Sequence, residues 1–148
     1  MNALVRQAYA ALVRIDSGLW LPRWFADRSD AIFRLLLSLI FVVGGAGHFF
    51  QLEYMLARID ESPWAELVKR IGDPAVLLQL SGAAFVVFGL LLALGQLKRL
   101  AALVLFVTLV PITLSIHLAP GHLGPLLKNV AILGALLYVY SRDPRPGE

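Results

Sequence analysis

The side chains able to do chemistry in this chain are few and gathered. The stretch His117-Leu-Ala-Pro-Gly-His-Leu-Gly-Pro-Leu-Leu-Lys-Asn129 sets two histidines, a lysine and an asparagine between two apolar segments. A third histidine closes the run Phe41-Val-Val-Gly-Gly-Ala-Gly-His48. Neutral imidazole ligates transition metals and haem iron, and it exchanges hydrogen bonds with a quinone carbonyl. A lysine near a helix N-terminus adds to the positive end of the dipole and suits an anionic oxygen. His48, His117, His122 and Lys128 are therefore the candidate ligand-binding residues, with Glu53 the nearest carboxylate. Asn129 is suited to a hydrogen bond between helices. No nucleophile–base pair is present, so no catalytic residue is assigned, and the chain reads as a binding or subunit protein before an autonomous enzyme. No metal-ligand set is assigned either.

The elements that must position these groups are apolar. Of the 148 residues, 59% are hydrophobic and only 16% charged, and the mean hydropathy is +0.76. Globular chains average ~45–50% apolar residues, whereas a membrane helix needs ~20 in a row with its charges at the ends. The absence of cysteine excludes disulfides, iron–sulfur clusters and cysteine nucleophiles. A net charge of +3 without a Lys/Arg run excludes a nucleic-acid partner.

Four spans are expected, at about 31–50, 75–94, 100–118 and 123–140, together forming a membrane domain over 31–141. Residues 1–30 lack the core and cleavage site of a signal peptide. Leu4, Ala8, Leu12, Ile15 and Leu19 recur at helical spacing there, and Trp20 and Trp24 flank Pro22; an amphipathic arm on the membrane surface is expected. Asp30 is placed to cap the first span, and Arg34 to reach back to the headgroups. Gly44, Gly45 and Gly47 permit close approach of another backbone. Gln51 to Gly72 carries two short apolar stripes among charges, the pattern of interfacial helices, with Ser62-Pro63 between them. Pro111 predicts a kink in the third span. Residues 142–148 are a polar tail. The arm, the 95–99 turn and the tail carry Arg6, Arg14, Arg23, Arg28, Lys98, Arg99, Arg142 and Arg145, whereas acidic residues outnumber basic ones between 51 and 73. The positive-inside rule puts both termini in the cytoplasm and all three histidines at the outer face.

From Arg34 to Ser141, about three-quarters of the chain, the sequence resembles the DoxX family of small four-helix bacterial membrane proteins. The resemblance is carried in order by Phe41-Val-Val-Gly-Gly-Ala-Gly-His48, Gly89 with Gly95, Arg99-Leu-Ala-Ala-Leu103, His117, and Leu127-Lys-Asn-Val-Ala-Ile-Leu-Gly134. It implies an inner-membrane bundle linked, in several relatives, to quinone or thiosulfate redox chemistry and oxidative stress. Relatives often carry lysine where His48 stands, and an acidic residue in the second span where Phe85 stands here; that span holds Gln79 but no acidic residue. The arm lies outside the resemblance.

The fold expected is thus an all-α integral membrane protein, a four-transmembrane-helix bundle with interfacial amphipathic helices in the arm and the first loop. The function expected is that of a membrane subunit or anchor of a redox system, with an outer-leaflet polar pocket for a quinone headgroup or small redox-active anion. Two alternatives stand beside it: a small transporter or metal-handling protein using the histidines, and a purely structural anchor. Quinone is the cofactor favoured over haem or a metal. The expected partners are the lipid bilayer and a redox subunit or a second copy of the chain.

Overall fold

The structure, a computed structural model, describes residues 2–19, 22–117 and 123–142. The described residues form seven helices, in the order α1 (Ala3–Gly18), α2 (Arg23–Phe50), α3 (Leu52–Asp60), α4 (Ala65–Ile71), α5 (Pro74–Ala93), α6 (Lys98–His117) and α7 (Leu123–Arg142). Among the described residues there is no strand. The chain divides into a unit of residues 1–30 and a unit of residues 31–148.

In the first unit α1 is exposed from Leu4 to Gly18, Leu12 and Ile15 included, as is Leu19 just after it. Trp24 and Phe25 meet edge to face at 5.7 Å. Trp20, half of the expected aromatic pair, lies outside the described residues, as do 143–148 of the tail.

Four helices, α2, α5, α6 and α7, are long and apolar enough to cross a membrane. Their apolar side chains point outward as well as inward: Leu36, Val43, Leu80, Val107 and Leu137 are all more than half exposed. In water such a surface would aggregate; in lipid it is the solvated face. The protein is a multi-pass membrane protein. Its central core joins Leu37 and Phe41 of α2, Phe85 and Leu92 of α5, Leu105 and Leu109 of α6, and Leu136 and Val139 of α7.

Local chemistry sets the helix ends. Asp73 accepts a hydrogen bond from the Ala75 amide at 2.8 Å, and Pro74 opens α5, where its missing N–H costs nothing. Asp30, expected to cap the first span, has no such role. α2 already starts at Arg23, because nothing from 23 to 30 breaks a helix and Ser29 returns its hydroxyl to the Ala26 carbonyl. Gly124 and Pro125 fall in the first turn of α7, where proline is tolerated. α6 continues through Pro111 as one helix. Gly95, at φ +72°, closes the α5–α6 turn, and a Cβ there would sit 3.3 Å from the Arg34 guanidinium. At the same end Arg99 stacks over Tyr140 and Arg142 over Tyr138, each at 5.0 Å.

At the opposite end α3 and α4 fold back onto the bundle. Ile59 packs with Leu78 of α5 and Ile116 of α6 in a second cluster, which Met55, Leu56 and Val68 flank. Lys69 ties the two short helices together, 2.9 Å from Asp60 and 3.9 Å from Glu66. The hydrogen bond that Lys69 donates to Asp60, then the charge of that carboxylate, holds the Lys69 ammonium above the ordinary lysine range. This link is intact at neutral pH and is lost as alkali removes the ammonium proton.

Candidate ligand site

α2 and α5 approach to backbone contact. A Cβ on Gly45 would meet the Gly82 carbonyl oxygen and the Phe85 Cβ at 2.7 Å, and one on Gly82 would meet the His48 Cβ at 2.7 Å. Phe41, Gly45 and His48 share one face of α2, while Gly82, Phe85 and Gly89 share the facing side of α5. Of the three glycines expected to pack, only Gly45 does so tightly. Gly47 has ordinary contact with Met55, and a Cβ on Gly44 would meet nothing within 4 Å.

This close approach carries His48 into α5. The ring is buried, with Nδ1 3.0 Å from the Leu78 carbonyl oxygen and 2.9 Å from the Ser81 hydroxyl. The Phe85 ring lies 5.5 Å away. A helix-end histidine commonly satisfies the carbonyls of its own last turn; this one bonds a neighbouring helix. Ser81 is the side chain of α5 that meets it.

Beside His48 opens a cavity of about 300 Å³ between α2, α3, α5, α6 and α7. Its wall is mostly apolar, with Phe41, Phe85, Leu109, Ile112 and Ile116 among the lining residues. Its polar side chains are His48, Tyr54, Arg58, Lys128 and Asn129, and among the described residues no Asp or Glu lines it. Two expected residues, His48 and Lys128, are therefore brought to one cavity from opposite ends of the sequence. His117 is the last residue of α6, next to the lining residue Ile116; its side chain, and the whole of His122, lie outside the described residues. Glu53 is exposed in the first turn of α3, bordering a separate recess with Phe49, Phe50 and Gln51. Among the described residues no group of three or more His, Asp or Glu is placed to hold a metal ion.

Arg58 and Tyr54 are the lining residues that sequence reasoning missed. Arg58 lies 3.4 Å from Glu61 and 6.0 Å over the Tyr54 ring. The signal was there: these residues are four apart on an amphipathic helix and share a face. That α3 turns this face to the cavity depends on Ile59 docking against α5 and α6.

Asn129 bridges helices as expected. Thr113 donates its hydroxyl to the Leu109 carbonyl at 2.7 Å, so its oxygen accepts from Asn129 Nδ2 at 3.0 Å. Asn129→Leu should destabilise the α6–α7 pair by about 1 kcal/mol. Thr113→Val should do the same, and the double variant should cost less than the two summed. Thermal unfolding in detergent reads all three.

A family model described as DoxX matches residues 29–118. The chain belongs to the DoxX family. No curated protein and no solved structure matches it. The matched span takes in α2 from Ser29 and all of α3 to α6, so His48, Arg58 and Ser81 lie within the DoxX segment. Lys128 and Asn129 belong to α7, beyond it.

Proposed function

We propose that this DoxX protein is a membrane subunit or anchor of a redox system and that its cavity holds a quinone headgroup or a small redox-active anion. One observation carries the reading: an apolar cavity lined by two cations and three neutral polar groups, with no carboxylate among its described lining residues. Small-molecule sites have this make-up, with apolar walls and a few placed polar groups. Lys128 and Arg58 are donors to an anionic or carbonyl oxygen, and Phe41 and Phe85 in the lining suit a flat ring. His117, the last residue of α6, and His122 complete the proposed set. A redox headgroup supplies electron transfer when bound; the residues here hold it, orient its oxygens and exclude water.

Binding of a short-chain quinone analogue to the detergent-solubilised protein tests this reading. Gly44 lines the cavity and a Cβ there has open space, so Gly44→Leu should fold normally while filling the site. Binding by the wild type and at least tenfold weaker binding by Gly44→Leu are expected. Equal binding would remove the cavity as the site and leave a structural anchor.

The same proposal places the protein in a bacterial inner membrane with both termini cytoplasmic and α1 lying on the inner surface through Leu4, Leu12, Ile15 and Leu19. The stacked Arg99 and Arg142 at one end of the bundle, with the acidic α3–α4 segment at the other, support that orientation. Ser62 is buried and makes a poor probe, so the test uses exposed positions. A cysteine at Glu66 should label from outside intact cells and one at Gln96 should not; the reverse would place the cavity at the cytoplasmic face.

A further inference from the structure

The hydrogen bonds around His48 fix more than its position. A carbonyl oxygen only accepts, so the contact between Nδ1 and Leu78 requires the proton on Nδ1. Ser81 fits the same assignment: its hydroxyl donates to the Leu78 carbonyl at 2.7 Å, leaving its oxygen turned to the imidazole as a second acceptor. The tautomer follows from this network. A neutral ring protonated at Nδ1 has a bare lone pair at Nε2, for which no hydrogen-bond donor is found among the described residues. His48 is only 4% exposed and lines the cavity. Lys128 and Arg58, in the same lining, can only donate.

We infer that the cavity selects a ligand carrying a hydroxyl, a phenol or the reduced quinol form, whose O–H donates to His48 Nε2 while a second oxygen accepts from Lys128 or Arg58. This rests on the cavity being the ligand site. An oxidised quinone offers two acceptors and has nothing to give Nε2. The selection is a matter of hydrogen-bond polarity and needs no electron transfer. α5 enforces it, because Leu78 and Ser81 hold the ring proton on the other nitrogen.

The test is equilibrium binding under anaerobic conditions to the wild-type protein in detergent, at about pH 8, above the ordinary imidazole range. The probes are durohydroquinone, its dimethyl ether and duroquinone, which share a ring and differ in their donors. Durohydroquinone should bind about tenfold tighter than the other two, the usual effect of one added hydrogen bond. Nitrogen NMR of histidine-labelled protein, with His48 assigned by loss of its signals in His48→Gln, gives a second readout. Nδ1 should be protonated and Nε2 bare, and only durohydroquinone should move the Nε2 resonance toward the protonated side. Equal affinities for all three probes, still lost in Gly44→Leu, would overturn the hydroxyl selection and leave the cavity standing. No binding of any probe would overturn both.

Discussion

Gly45→Leu should cost this protein more stability than any other single change between α2 and α5. Overpacking a filled interface costs ~1–3 kcal/mol and occasionally more. The obstacles here are a backbone carbonyl and a Cβ, each 2.7 Å from where the first added carbon would go, and neither can rotate away. Gly45→Ala should already destabilise, although alanine favours a helix by ~1 kcal/mol over glycine; the clash outweighs the propensity gain. Gly134 supplies the control, since a Cβ there would meet nothing within 4 Å, and Gly134→Ala should be neutral or slightly stabilising. Thermal unfolding in detergent checks the series. Parent-like stability for Gly45→Leu would mean that α2 and α5 are not in backbone contact and that His48 is not held against Ser81.

Lys128→Met should give the largest loss of ligand affinity that leaves the fold intact. Lys128 is on the exposed side of α7 yet lines the cavity, so its stem is not part of the core and methionine replaces it without a void. Losing one charge-assisted hydrogen bond costs ~1.5–3 kcal/mol, which is roughly tenfold or more in affinity. Lys128→Arg should restore part of it, because the planar guanidinium keeps the charge but offers its donors in a different geometry. If Lys128 only reaches the headgroup layer, arginine would be fully equivalent and methionine would alter insertion alone. Quinone-analogue binding at equal folded fraction separates these outcomes.

The four spans, the DoxX family, the Asn129 bridge and the candidacy of Lys128 were all legible without coordinates, for a common reason. A polar group inside an apolar run is costly in lipid, so each one that occurs marks a helix end, a bridge or a site. Gly45 was legible as a member of a glycine cluster, but the sequence did not separate it from Gly44, one residue away, which opens on the cavity instead. α5 is apolar on every face, so its polarity pattern names no inner side. With lipid on one side and protein on the other equally apolar, shape alone chooses the face. The seating of Gly45 against Gly82 thus decided that His48 meets Ser81 and Leu78, and with it which ring nitrogen carries the proton. Arg58 shows the same limit. Its charge reads as part of a solvated surface helix until Ile59 docks beside Leu78 and Ile116 and turns α3 toward the cavity. Sequence determined which residues were expensive to keep in a membrane; only the packing of helices whose faces look alike decided which of them meet.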